Sequence, residues 1–141
     1  MTVDPRELVV GLERVISLVR SLSPAGDVSM TTAATLTRLA AGGPCRLTEL
    51  AAAERVTQPA MTQLVSRLER DGFAQRHGHP TDGRLVMVHI TPAGRRLLAR
   101  RRAARAKRLS ALLNRLDDQE QAAIVAALPA LHRLADLASP G

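Results

Sequence analysis

The chain has 141 residues, with 20 Lys and Arg against 13 Asp and Glu and a formal net charge of +7. One compact domain is expected at this length, and the basic excess is the footprint of a polyanion binder, with acidic membrane surfaces and acidic proteins as competing partners. No apolar run approaches the roughly 18 residues of a membrane span, and the N-terminus has no basic-then-apolar signal pattern. The single Cys45 has no internal disulfide partner, so a soluble cytoplasmic protein is expected.

Phe73 is the only aromatic residue. The core must therefore be aliphatic, and modules that stack bases on rings, such as RNA-recognition sheets and single-strand grooves, are excluded. Double-stranded DNA becomes the favoured polyanion.

In chain order, Asp4-Pro5-Arg6-Glu7 places an N-cap acid before a first-turn proline, and Leu8, Leu12, Val15, Ile16, Val19 and Leu22 continue as one apolar stripe. Both signals predict an amphipathic helix. A break at Ser23 to Asp27 leads to a second helix, capped by Ser29 and ending at Gly42-Gly43-Pro44. Leu47 to Glu54 is a short Ala-rich helix anchored by Leu50, and Arg55-Val56 turns into a helix from Gln58 to Asp71, stopped by Gly72. On this helix Ala60, Met61, Leu64, Val65 and Leu68 should face inward. Gln58, Thr62, Gln63, Ser66, Arg67 and Arg70 are left outside, which is the grammar of a helix-turn-helix.

Phe73 to His77 and Leu85 to Ile90 read as strands joined by a loop rich in Gly, Pro and Asp. Thr91-Pro92 opens a long helix to about Leu116. Asp117-Asp118-Gln119-Glu120 offers a capping box for a last helix carrying Ile124, Leu128, Leu131 and Leu134, interrupted by Pro129.

Three ordered motifs give these elements a family likeness. They are Leu47-Thr48-Glu49-Leu50-Ala51, the run from Gln58 through Leu68-Glu69-Arg70-Asp71-Gly72-Phe73, and Asp82-Gly83-Arg84 followed by Ile90-Thr91-Pro92-Ala93-Gly94. Together they resemble the MarR family of winged helix-turn-helix transcriptional regulators, over nearly the whole chain. The resemblance implies a mainly α fold of about six helices with a small β wing of two or three strands, in a homodimer on an inverted-repeat operator. Residues 29–91 would form the DNA-binding lobe, and residues 4–22 and 92–138 the dimerisation helices. Leu8, Leu12, Val15, Leu128, Leu131 and Leu134 are the candidate dimer surface, with ordinary monomer core as the equal alternative.

Gln63 and Thr62 are the base-edge candidates, since Gln can pair bidentately with adenine and a Thr methyl can touch a thymine methyl. The alternative is a plain solvated helix face. Gln58 and Pro59 lie in the same first turn, and Thr57, Ser66 and Arg67 are candidates for phosphates. The resemblance gives Arg84 a minor-groove contact, and narrow grooves attract arginine. Asp82 is expected to pair with an arginine and hold the wing, with a plain exposed turn salt bridge of Arg84 and Asp82, adding roughly 0 to 1 kcal/mol, as the alternative, while Arg76, His77 and His79 supply positive charge around the hairpin. Arg95 to Arg108 holds eight basic residues and no acid, which suits either operator phosphates or a solubilising surface.

His77-Gly78-His79 with His89 lacks the spacing of a metal site, so no metal or cofactor is expected. Arg46 stands where the family usually has a Ser or Thr cap, which predicts a loose helix start or a phosphate contact. Cys45 is expected to be a small buried strand residue rather than a redox switch. No phosphate loop, nucleophile elbow or zinc-protease pair is present, so the chain is not expected to be an enzyme. The leading expectation is a sequence-specific repressor, with release by a small-molecule effector of unknown identity left open. A non-specific architectural DNA-binding protein is the alternative.

Overall fold

The computed structural model describes residues 1–139. Among them the chain forms six helices and three strands: α1 (Pro5–Ser21), α2 (Met30–Gly42), β1 (Cys45–Arg46), α3 (Leu47–Glu54), α4 (Gln58–Arg70), β2 (Ala74–Gly78), β3 (Val86–Ile90), α5 (Pro92–Leu113) and α6 (Asp118–Ala138). The predicted caps account for most of the boundaries. Asp4 Oδ1 accepts from the Arg6 N–H, Ser29 Oγ from Thr32 and Thr57 Oγ1 from Ala60. Asp117 and Glu120 complete a reciprocal capping box at 2.8 and 2.9 Å. Each bond satisfies a backbone donor that the first helical turn leaves without an intrahelical partner.

The chain divides into two compact units, one from Gly26 to Arg102 and one made of Met1–Ala25 with the segment from Ala103 onward. In the first, the three strands form an antiparallel sheet in the order β1-β3-β2, with Cys45 opposite Val88 and Arg76 also opposite Val88 on the other side. The core is aliphatic, as a chain with one aromatic residue requires. Leu36 and Leu39 from α2, Leu50 from α3, Met61, Leu64, Val65 and Leu68 from α4, and Val88 from β3 are buried together, with Phe73, Leu97 and Leu98 packed at the margin. The first turns of α5, expected among the dimerisation helices, thus pack on the core of the winged unit.

Two glycines fix the junction between helix, wing and α5. Gly72, at φ 81°, closes α4 in the left-handed region that side chains avoid. Gly94 sits in the first turn of α5, where a Cβ would collide with the Phe73 carbonyl oxygen and the Ile90 side chain. Thr91 clamps the same corner: its Oγ1 donates to Gly72 O at 2.6 Å and accepts from Gly94 N at 3.1 Å, while its N–H donates to Phe73 O. The T-x-x-G motif is therefore a backbone-to-backbone packing device.

Several details differ from the sequence expectation. Ala60 is exposed rather than inward, because the buried stripe of α4 runs Met61, Leu64, Val65, Leu68 and leaves Ala60 in the first turn outside it. Both strands of the hairpin start one residue later than predicted. α5 ends at Leu113, not Leu116, because Arg115 and Leu116 close i−3 bonds there and the Gln121 amide donates to the Leu113 and Leu116 carbonyls. The start of α3 is not loose: Glu49 Oε2 accepts from the Arg46 N–H at 3.3 Å, the return half of a capping box without the usual hydroxyl.

In the second unit, no described residue of α1 or α6 is buried. Val15 is 52% exposed, and Leu128, Leu131 and Leu134 are 43, 39 and 45% exposed, while Leu8 and Leu12 are half-buried. None of these six side chains is fully buried within one chain.

Candidate nucleic-acid interface

α4 presents its polar side as an amphipathic helix should. Gln58, Pro59, Thr62 and Gln63 are all exposed and line one shallow open hollow. The Pro59 ring takes the place of an N–H that this turn would leave unpaired. Thr57 is exposed as well, and its hydroxyl oxygen is occupied by the cap bond to Ala60. Arg67, further along, lines a second hollow with Val28, Ser29, Thr32, Asp71 and Phe73. Gln63 and Thr62 thus share an exposed polar surface that offers both donors and acceptors to an approaching base edge.

Ser66 differs from its neighbours. Its hydroxyl donates to Thr62 O at 2.9 Å and accepts from Arg76 Nη2 at 2.9 Å. A serine has one proton to give, so Ser66 donates to a phosphate only by giving up the Thr62 bond.

Arg76 is turned toward α4, not outward from the wing. Nη1 donates to Glu69 Oε1 at 2.9 Å, and Nη2 donates to Thr62 O and Ser66 Oγ at 3.1 and 2.9 Å. The Arg76 backbone N–H also donates to Glu69 Oε2 at 2.9 Å. These bonds hold the Glu69 carboxyl below its ordinary value of 4.5, the backbone N–H contributing most and the guanidinium next, against partial burial. Sequence reasoning passed over Glu69. Its one visible signal is that it is an acid between Arg67 and Arg70 on a face otherwise basic or neutral.

The wing tip is built by side chains bonding backbone. His79 Nδ1 accepts from the Thr81 and Asp82 N–H groups at 3.2 and 3.1 Å, so this nitrogen serves as an acceptor in the turn. Asp82 Oδ1 accepts from the Arg84 N–H and Nε at 3.1 and 3.2 Å. Those bonds, side chain first and backbone second, keep the Asp82 carboxyl below its ordinary 3.8. The arginine that pairs with Asp82 is Arg84 itself, and the pairing leaves the Arg84 side chain 92% exposed. An exposed pair of this kind adds only about 0–1 kcal/mol; its consequence is orientation, a guanidinium held out at the tip with Nη1 uncommitted to Asp82.

The basic run on α5 divides by position. Within the winged unit, Arg101 forms a nearly buried ion pair with Asp27 at 2.8 Å, and Arg95 reaches the Ala40 carbonyl. Within the other unit, Arg105 donates to Val19 O and Arg108 to Ser23 O. The three carbonyl acceptors lie in the last turns of α2 and α1 or just past α1, where intrahelical partners run out, although Val19 O also accepts from the Leu22 N–H at 3.3 Å. Arg96, Arg100, Arg102 and Lys107 remain exposed. The run is therefore part structural and part open cationic surface.

His77 and His89 touch edge to face on the sheet, ring centroids 4.7 Å apart. Among the described residues, no group of three or more His, Cys, Asp or Glu is placed to hold a metal ion, and no helix is long and apolar enough to cross a membrane. Cys45 is half-buried in β1, and burial, with Glu49 nearby, pushes its thiol up against the opposing effect of Arg38. That is the opposite of the thiolate-favouring setting a reactive cysteine needs.

Comparison with known proteins places this geometry. The model of the MarR family matches residues 28–86. An HTH-type transcriptional regulator of Mycobacterium tuberculosis is 34% identical over 115 residues, covering 82% of this chain and 80% of the relative. The crystal structure of RV1404 from Mycobacterium tuberculosis superposes with a TM-score of 0.76 at 22% identity, covering 94% of this chain and 95% of that one. Bordetella bronchiseptica BpsR, whose DNA binding is regulated by 6-hydroxynicotinic acid, superposes with a TM-score of 0.60 at 22% identity, covering 90% and 96% of the two chains.

Proposed function

This chain belongs to the MarR family of transcriptional regulators, which are not enzymes, and from that premise we propose that it represses transcription as a homodimer on a pseudo-palindromic DNA operator. The single observation that carries the sequence-specific part is the exposed patch of Gln58, Pro59, Thr62 and Gln63 on α4. Gln63 and Thr62 read base edges in a major groove. Thr57 and Arg67 hold flanking phosphates, and Arg84 enters the adjacent minor groove.

Residues 29–91 serve as the reading lobe, with residues 4–22 and the later part of 92–138 as the dimer-forming helices. The support is physical. Ile124, Val125, Leu128, Leu131, Leu134 and Leu137 are each at least 39% exposed, and burying the open half of such side chains contributes roughly 1 kcal/mol apiece. A stripe of that size is a protein interface more often than free surface. With Leu8, Leu12 and Val15 of α1 it supplies the surface through which two chains pair, and a two-fold operator calls for such a pair, its half-sites roughly 34–36 Å apart. A small-molecule effector that releases the DNA is proposed by analogy with BpsR, and action in the cytoplasm follows from the DNA target.

The exposed arginines of α5, with the net charge of +7, favour one competing reading, a non-specific architectural protein. A footprinting titration on the promoter region upstream of the protein's own gene separates the two. A protected pseudo-palindrome bound about a thousandfold or more tighter than random duplex, with strong salt dependence, is the expected result. Equal affinity for every duplex would replace the regulator with the architectural protein.

A further inference from the structure

The contacts of Arg76 suit neither phosphate binding nor diffuse charge. Both protons of Nη2 and one of Nη1 are directed at Thr62 O, Ser66 Oγ and Glu69 Oε1, and the two oxygens of Glu69 divide between the guanidinium and the backbone N–H of the same residue. One carboxylate therefore grips strand β2 by its main chain and by its side chain. The gripped points on α4 span two turns, from Thr62 through Ser66 to Glu69. One of them, Thr62, belongs to the surface proposed to face the bases, and Ser66 lies one turn further on.

We infer that Arg76 is a positioning residue that fixes the angle between wing and recognition helix, so that Arg84 and Gln63 meet adjacent grooves at the same time. The inference rests on the DNA-reading function proposed above. Its physical basis is leverage. Arg76 is the middle residue of β2, two strand steps before the turn that follows Gly78, so the wing tip projects on the order of 10 Å beyond it, the strand part at roughly 3.3 Å per residue. A tilt of about 10° there displaces the tip by about 2 Å, several times the roughly 0.5 Å range over which a hydrogen-bond distance stays favourable. The sheet alone resists this tilt weakly, because the hairpin beyond β1 has a free edge: β1 pairs only with Met87 and Val88 of β3. The guanidinium supplies fixed fork geometry at the hinge, which the flexible point charge of a lysine does not.

The test is a double-mutant cycle on a high-affinity operator duplex, with Arg76→Met and Arg84→Ala singly and together, each affinity corrected for the folded fraction measured by circular dichroism. Arg84→Ala alone should weaken operator binding by about tenfold, within the range set by losing one specific contact. In the Arg76→Met background the same change should cost less than about threefold, because the tip no longer meets the groove. Arg76→Lys should fall between Met and the native residue. An equal cost of Arg84→Ala in both backgrounds would overturn the inference and leave Arg76 a stabilising contact only.

A DNA-free measurement keeps the two levels apart. Spin labels on Gln63→Cys and Gly83→Cys, in a Cys45→Ser background, should show a narrow distance distribution that broadens with Arg76→Met. An unchanged width means that Arg76 does not set the angle, whatever the DNA result. Labels that broaden in a protein with no operator preference in any background locate the failure in the DNA-reading function and not in the strut.

Discussion

Replacing Gly94 by alanine tests the corner at which helix, wing and α5 meet. The substitution carries an intrinsic gain, since alanine favours a helix over glycine by about 0.8–1 kcal/mol. Against it, the new Cβ would meet the Phe73 carbonyl oxygen and Ile90 Cγ1 closer than real Cβ atoms approach, and the first of these is backbone. That carbonyl cannot swing aside cheaply, because it accepts the Thr91 N–H at 3.1 Å, and Thr91 Oγ1 is itself tied to Gly72 O. Overpacking of this kind costs about 3 kcal/mol at the upper end of its usual range. The net is a loss of about 2 kcal/mol, which for a chain of this size lowers Tm by about 8 °C. The assay is thermal unfolding followed by circular dichroism at one protomer concentration, because Tm of an oligomer depends on concentration. Gly42→Ala is the matched control: Gly42 is also helical but has nothing within 4 Å of the added carbon, so it should gain up to about 1 kcal/mol. A Gly94→Ala protein that melts at or above its parent would refute the close approach and the account of the T-x-x-G motif built on it.

Gln63→Ala should relax base preference at one position per half-site at a cost of about 1–3 kcal/mol, measured by binding to a set of singly substituted operators; equal weakening on all of them would reassign Gln63 to the backbone. Leu131→Asp should convert a dimer to the 15.1 kDa protomer in sedimentation velocity, and a dimer that persists would move the interface away from α6. Glu69→Gln probes acid stability. The folded Glu69 carboxyl lies below its ordinary 4.5, so its stabilising effect is complete above that value and lost as pH falls through the folded one. The Tm gap between native protein and variant should therefore hold from pH 7 to about 5 and close toward pH 3, and a gap independent of pH would show that the charge on Glu69 contributes nothing.

Much of the candidate interface is legible in the sequence because it is written in local rules. Caps at Asp4, Ser29, Thr57 and Asp117 follow from short-range hydrogen bonding, and the exposed polar side of α4 follows from helical periodicity. Arg84 with Asp82 was also legible, since two residues in a tight turn have little choice of partner. The role of Arg76 was not. Its acceptors lie 7, 10 and 14 residues earlier on another element, and neither charge nor spacing distinguishes an arginine that points at DNA from one that points at a helix.

The sequence by itself determined the order of elements, the aliphatic core, the basic character and the family likeness, because each depends on composition or on neighbours a few residues apart. Tertiary structure alone decided which cations are open and which are occupied. Arg84 stands out at the wing tip, Arg76 turns back onto α4, and Arg101 is paired with Asp27, which lies 74 residues away in the chain. It also decided that Val15 and Ile16 on α1 and the apolar stripe on α6 stay exposed in one chain. Both depend on which distant surfaces meet, and a guanidinium or a leucine has the same local sequence signature whether its partner is water, its own fold or a second molecule.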